Sequence, residues 1–183
     1  MQIRQASQGD IDQLVQLEQR YGRDELSDND VRLEAQLNGR REFSLLIAEH
    51  LVVVAEDAGQ IMAYAIVANE GFYQGQIFYR KLFQRLGSYQ QSSRVQRGGV
   101  GKRSSAGCYG PVWVDSRYRG KGVFGALFDK VMELSKGRYS PLFTFIAEEN
   151  QHSLNVHVKR AGMEVLDFFE DGGRGFYLLK CCE

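Results

Sequence analysis

Long apolar runs are missing from this sequence. No stretch approaches the roughly 20 residues that a membrane-spanning helix needs, and the first ten, MQIRQASQGD, lack the apolar core of a secretory signal. An excess of charge is missing too. The 23 Lys and Arg balance 23 Asp and Glu, so no global field draws the chain to nucleic acid or to a membrane. Cysteine is scarce. Cys108, Cys181 and Cys182 form an odd set with two adjacent members, which excludes a disulfide framework, and there is no C-x-x-C to support a zinc site. The expectation is a cytoplasmic protein with no metal and no membrane partner. At 183 residues, 43% apolar and 25% charged, the composition fits one ordinary globular domain over 1–183, large enough to bury a core.

Carboxylates are also missing locally. From Gly71 to Val114 there is no Asp or Glu, while the same stretch carries Arg80, Lys81, Arg85, Arg94, Arg97, Lys102 and Arg103. The rest of the chain is therefore net acidic. Seven cations could attract an anionic acceptor or RNA, or they are the solvated side of a helix and lid. Phe72, Tyr73, Phe78, Tyr79 and Phe83 could line a pocket or serve the core.

The spacing of the apolar residues sorts the chain into elements. QIRQA is a short strand. Asp10 stands ready to cap a helix in which Ile11, Leu14, Val15 and Tyr21 share one face, interrupted by Glu18. Ser27 or Asp28 caps a second helix through Val31, Ala35 and Leu37, and REFSLLIAEH is a third, shorter one. LVVVAED and QIMAYAIVA are rich in β-branched residues and are joined by Asp57-Ala58-Gly59, an antiparallel hairpin. QGQIFYRKLFQRL is a helix with an aromatic face, and Gly87 to Gly107, rich in Gly, Ser and Gln, reads as a long mobile loop. In the strand CYGPVWV, Pro111 marks an edge or a break in pairing. A helix follows with an apolar stripe through Val123, Phe124, Leu127, Phe128, Val131 and Met132, and Gly137 fits its C-cap. PLFTFIA is a strand, SLNVHVKRA a short helix closed by Gly162, and MEVLDFFE and RGFYLLKCC are strands separated by DGG. Strand–helix–strand in the middle implies a parallel pair with a crossover helix, and the flanking hairpins imply antiparallel strands. The fold class is α+β with a mixed sheet.

The stretch SRYRGKGVFGALFDK, Ser116 to Lys130, carries the chemistry. A strand ends at Val114, a basic turn with Gly120, Gly122 and Gly125 follows, and a helix begins near Gly120. The first amides of a helix have no internal partner and sit at the positive end of its dipole. Glycine lets a ligand approach them closely, so this is a place for a phosphate or pyrophosphate. RGGVGKRSS, Arg97 to Ser105, is only superficially alike. A P-loop would need Gly where Gln96 stands and Ser or Thr where Arg103 stands. Gly120, Gly122 and Gly125 also spell G-x-G-x-x-G, but they do not follow a first strand, and no acidic residue occurs in SKGRYSP, about 20 residues on.

VWVDSRYRGKGVFGALF resembles the acetyl-coenzyme A motif, [RQ]-x-x-G-x-[GA], of the GNAT superfamily of N-acetyltransferases. Starting at Arg119 puts Gly122 at the central glycine and fits the following helix, with Phe124 departing from the last position. Starting at Arg117 matches every letter but shifts the helix by two. FIAEENQHSLNVHVKRAGM resembles the family's strand followed by N-x-x-[AS], with Asn150 and Ser153 matching. The element order agrees from IRQAS to FYLLK. The resemblance implies a mixed, mostly antiparallel sheet with a central splayed parallel pair, flanked by helices. It implies acetyl-CoA as co-substrate, its pyrophosphate on the amides of Arg119, Gly120, Lys121, Gly122, Val123 and Phe124. Its pantetheine would pair with backbone groups of Val112 and Val114 and touch Asn150. Residues 71–107 fall where such enzymes carry acceptor-site variation.

The family's usual proton donor is a Tyr seven residues after that Asn, and here the position is His157, an imidazole whose ordinary pKa suits transfer in either direction. Counting back from Gly162 selects Val158 instead. No carboxylate lies on CYGPVWV. Glu148 and Glu149, acting through water, and Tyr109, ordering a water, are the candidates for taking the amine's proton, while Asp115 beside the glycine turn reads as structural. The implied activity is transfer of acetyl to a primary amine of a small molecule or protein by direct attack. The alternatives are a non-catalytic acyl-CoA-binding module and an RNA-directed enzyme using 71–114. A homodimer is plausible on family grounds alone.

Overall fold

The structure, a computed structural model, describes residues 1–21, 38–94 and 104–181. In chain order the elements are β1 (Gln2–Gln5), α1 (Ile11–Tyr21), α2 (Arg40–Glu49), β2 (Leu51–Asp57), β3 (Gln60–Ala68), α3 (Ile77–Arg94), β4 (Ser105–Val114), α4 (Val123–Ser135), β5 (Tyr139–Ala147), α5 (Gln151–Lys159), β6 (Met163–Asp171) and β7 (Arg174–Cys181). The strands form one sheet in the order β1-β2-β3-β4-β5-β7-β6. β4 and β5 are parallel, and β1–β2, β2–β3, β5–β7 and β6–β7 are antiparallel. This is the mixed, mostly antiparallel α+β fold. The expected helix capped by Ser27 or Asp28 lies outside the described residues, as does Cys182.

The chain divides into two compact units, Met1–Val67 with Gly110–Leu134, and Ala68–Tyr109 with Ser135–Glu183. In the first, Leu51 to Ala55 and Ile61 to Val67 are buried as near-continuous runs, because the sheet here is covered rather than half-solvated. The hairpin between them turns through Ala58 and Gly59, at φ of 49° and 79°. Ile11 and Leu14 of α1 are buried, and so is Glu18. Its presence on an apolar face has a local cause. The carboxylate accepts from the Asn38 amide (3.2 Å) and side chain (3.0 Å) and from the Tyr64 hydroxyl. A buried carboxylate is tolerated when its oxygens are satisfied in this way. Asp10 precedes α1 as expected, but its carboxylate turns back. It accepts from the Ser7 amide (2.7 Å) and from both Arg4 Nη groups (2.8 Å each).

In the second unit, α3 is longer than the sequence suggests. It runs through Gly87 to Arg94, and β4 already starts at Ser105, so the expected loop from Gly87 to Gly107 is cut back from both ends. A mid-helix Gly costs up to about 1 kcal/mol. Burial of Leu82, Phe83 and Leu86 on this helix outweighs that. Of the aromatics of the acid-free stretch, Tyr73 and Phe83 are buried and Phe72, Phe78 and Tyr79 are half-buried. Phe78 packs against Phe145 (4.9 Å between ring centres) and Phe176 (5.1 Å), Phe83 against Phe143 (5.0 Å), and Tyr73 stacks on Tyr79. The parallel register of β4 with β5 has Cys108 opposite Phe143 as its last pair. Two residues beyond Tyr109, Pro111 has no amide to donate, in keeping with the break expected there.

Candidate functional site

In the first unit, β4 delivers its last residues to a basic turn. Val112 and Val114 are half-buried on either side of the buried Trp113, whose ring stacks on Tyr64 at 6.1 Å. Asp115 then ends the strand. Its amide donates to the Met62 carbonyl (2.8 Å), and its carboxylate accepts from the Arg117 amide (2.9 Å) and guanidinium (2.7 Å). Arg117 holds this buried carboxyl below the ordinary range. Asp115 is therefore the structural residue the sequence suggests: it caps the Ser116–Tyr118 turn and sets where the glycines begin.

The glycine turn is open. Gly120 and Gly122 have φ of 74° and 80°, and a Cβ built on Gly120, Gly122 or Gly125 meets nothing within 4 Å. The conformation at the first two demands glycine. The first bond into α4 runs from the Ala126 amide to the Gly122 carbonyl (3.1 Å). The amides of Val123, Phe124 and Gly125 thus precede the helix's own ladder. A helix starting at Val123 agrees with the register that begins at Arg119. Phe124 does not obstruct this arrangement, because its ring lies over Phe128. Arg119 Nε donates to the Val114 carbonyl (2.9 Å), pinning the turn to the end of the strand. Lys121 sits over the Tyr118 ring at 5.4 Å. Helix dipole, orphan amides and flanking cations are the features by which the start of a helix binds an anion.

In the second unit, β5 ends at Ala147 and α5 starts at Gln151, with Asn150 as its N-cap. The Asn150 side-chain oxygen accepts from the Ser153 amide (3.1 Å), so the N-x-x-S spacing is a capping pair. That bond orients the Asn150 amide group and leaves its NH₂ to act as a donor. One turn further on, His157 is buried and Val158 is exposed. The count from Asn150, and not the count from Gly162, gives the inward position. His157 Nδ1 lies 2.8 Å from the Ser153 carbonyl and 3.3 Å from its hydroxyl. A carbonyl only accepts, so Nδ1 carries the proton and Nε2 the lone pair. Burial lowers the His157 pKa below 6.5, against the opposing pull of the Ser153 carbonyl.

Tyr109 packs edge-on against His157, 5.8 Å between ring centres, and is fully buried. Burial pushes its phenol far above the ordinary value, so it stays protonated. Glu149 is half-exposed and pairs with Arg174 at 2.5 Å. Its own backbone amide and Arg174 outweigh a desolvation penalty and hold the carboxyl below its ordinary value. Arg174 went unremarked in the sequence. Its position just after the Gly172–Gly173 turn, opposite Asp171, was the available signal. Glu148 is exposed, with its carboxylate against Gly175. Of the seven cations in the acid-free stretch, Lys81 pairs with Asp171 and Arg85 with Asp167 (2.6 Å). Arg97, Lys102 and Arg103 lie outside the described residues. Among the described residues no group of three or more His, Cys, Asp or Glu could hold a metal, and no helix is long and apolar enough to cross a membrane.

Comparison with known proteins gives the family and the fold. Residues 11–163 match the acetyltransferase (GNAT) family. No curated protein sequence matches. Among solved structures, the fold is similar to a ribosomal-protein-alanine N-acetyltransferase from Brucella melitensis (TM-score 0.64, 18% identity, 98% of each chain covered). It is similar to an acetyltransferase of the GNAT family from Streptococcus pneumoniae (TM-score 0.64, 18% identity, 98% of this chain and 96% of that one). It is also similar to a protein from Salmonella typhimurium solved with its cofactor acetyl-CoA (TM-score 0.59, 16% identity, 98% and 91%). With the match over 11–163, the glycine turn at the head of α4 and the mixed sheet that carries it, the chain belongs to the acetyltransferase (GNAT) family.

Proposed function

We propose that the protein is an acyl-CoA-dependent N-acetyltransferase that moves acetyl from acetyl-CoA to a primary amine by direct attack. The observation that carries this is the open turn at Gly120 and Gly122, leading into amides that precede the first bond of α4. The donor set fits the group: a diphosphate needs several N–H groups and no side chain in the way, and this turn has open space above its glycines and leaves the Val123 and Phe124 amides outside the ladder of α4. Of the amides from Arg119 to Phe124, those of Arg119 and Lys121 donate to the Ser116 (3.3 Å) and Tyr118 (3.4 Å) carbonyls; those of Gly120, Gly122, Val123 and Phe124 would hold the pyrophosphate, backbone groups of Val112 and Val114 the pantetheine, and the Asn150 NH₂ a pantetheine carbonyl. Ser153 serves by fixing Asn150 and His157. Acetyl-CoA supplies an activated thioester, so the chain itself needs only to orient the amine and manage one proton.

That proton is assigned to His157. With Nδ1–H held by the Ser153 carbonyl and the ring neutral, Nε2 takes the proton of the attacking amine and returns it to the departing sulfur. Tyr109, buried and protonated, positions the ring. Glu149, bound to Arg174, is a weak base and acts on the amine's approach through its charge. Amine-dependent release of free CoA tests the reading. His157→Gln should lower kcat by 10²-fold or more with little change in the KM for acetyl-CoA. Binding of acetyl-CoA without release of CoA, over a broad panel of amines, would instead identify a non-catalytic module.

A further inference from the structure

β6 is an outer strand of the sheet. Its nine residues pair with β7 along one edge, and among the described residues no strand pairs with the other edge. A free row of amides and carbonyls of that length is a template for a further strand. One face of β6 is bare as well. Val165 and Phe168 are 47% and 44% exposed, and Val158 on α5 is 40% exposed. Phe169 faces α3, with Arg85 of that helix over its ring at 4.9 Å, so Phe168 faces away from α3. Val165 is opposite Leu179 and Phe168 opposite Tyr177, two residues apart on β7, so both share that face. α5 packs on the same face. Cys108 is opposite Phe143, whose ring packs on Phe83 of α3, so its neighbour Tyr109 points the other way, and there it meets His157 of α5.

The register shift between Val165 and Asp167 gives β6 a symmetry that a regular strand lacks. Met163 and Val165 precede the shift on the α5 face, Phe168 and Glu170 follow it, and the four mirror one another about the midpoint of Leu166 and Asp167. We infer that two copies of the chain pair β6 with β6, antiparallel, about a two-fold axis at that midpoint. Val165 then stands opposite the partner's Phe168, and Met163 opposite the partner's Glu170. Glu164 stands opposite the partner's Phe169, so no carboxylate faces another directly. A register one residue along would set Glu164 against Glu170 and Asp167 against its own copy. Charge selects the same pairing. Lys159 ends α5, Arg160 is its C-cap, and two residues join them to Met163. Both are exposed, as is Glu170, and none of the three makes an ion pair among the described residues. The pairing brings Glu170 of each copy to the basic end of α5 of the other, twice by symmetry. This inference is independent of the acetyltransferase reading.

The test is the mass of the full chain in solution, by sedimentation velocity across the micromolar range, with circular dichroism as the control for folding. The expected species is a dimer. Glu170→Arg alone, and Lys159→Glu combined with Arg160→Glu, should each raise the dimer dissociation constant about tenfold or more, because each sets like charges together at both ends of the interface. These side chains are exposed, so the changes remove no ion pair of the fold described here. Mixed in equal amounts, the two variants should form a heterodimer as tight as the unaltered dimer, since opposite charges then meet again at both ends. A monomer at every concentration would overturn the inference. So would a dimer that the charge variants leave unmoved, or variants that keep the unaltered spectrum and still fail to associate when mixed.

Discussion

Gly122 is both the residue whose carbonyl opens α4 and one of two glycines in the left-handed region at the turn. Its conformation and the open space above it are independent reasons for glycine, one about the backbone and one about what approaches it. Gly175 differs. Its φ is ordinary, but a Cβ there would meet the Glu148 carboxylate and lie 2.6 Å from Phe168 Cζ. Gly175→Ala should therefore cost about 1–3 kcal/mol, read as a lower denaturation midpoint at unchanged slope. Ala58 is the reverse case, an exposed non-glycine residue at φ 49° in the β2–β3 turn. Ala58→Gly relieves that strain and should raise stability by about 1 kcal/mol by the same measurement. At His157 the sign of the pH dependence follows from its surroundings. In the role proposed for it the reactive form is the neutral ring, and burial lowers the pKa. Activity should be full above pH 6.5 and fall as the pH drops through a value below it, on the kcat/KM profile. His157→Gln should abolish that limb, which loss of packing alone would not do.

The elements were legible to different degrees, for physical reasons. The two hairpins announced themselves through Asp57-Ala58-Gly59 and DGG, because tight turns need residues that tolerate positive φ. The motif helices α4 and α5 were legible because a glycine turn and an N-cap asparagine mark their starts. The extent of α3 was not. Gly87, Ser88, Ser92 and Ser93 have poor local preference for helix, and it is the buried Leu82, Phe83 and Leu86 that decide. Pairing of Lys81 and Arg85 with Asp171 and Asp167 was likewise invisible, since the partners lie about 80 to 90 positions away in the chain. Two of the seven cations of the acid-free stretch, Lys81 and Arg85, thus have their counter-charges on β6. At the site, the motif letters led to the loop and to Asn150. They could not reveal that Asn150 caps its own helix or that Ser153 sets the His157 tautomer, which are facts of geometry.

For the molecule as a whole, acid stability should reflect the Arg4–Asp10–Glu56 cluster that ties β1 to the start of α1 and to β2. Arg4 first, and then the Ser7 bonds, hold the Asp10 pKa down to about 2. A carboxylate lowered on folding stabilises the native state above its unfolded pKa, and that contribution is lost as pH falls through the folded one. Stability should therefore decline between about pH 4 and pH 2, and Asp10→Asn should flatten that decline in acid titrations followed by circular dichroism. The central claim, that the Gly120–Gly122 turn receives a CoA diphosphate, is tested most directly by thermal unfolding with acetyl-CoA, CoA and NAD at about 100 times a likely dissociation constant. A ligand that binds only the native state adds about 2.7 kcal/mol there, which for a chain of this size is a shift of about 5 °C or more. The account predicts that shift with acetyl-CoA and CoA, none with NAD, and its loss in Gly122→Glu. No shift with either CoA species, or one that survives Gly122→Glu intact, would contradict it.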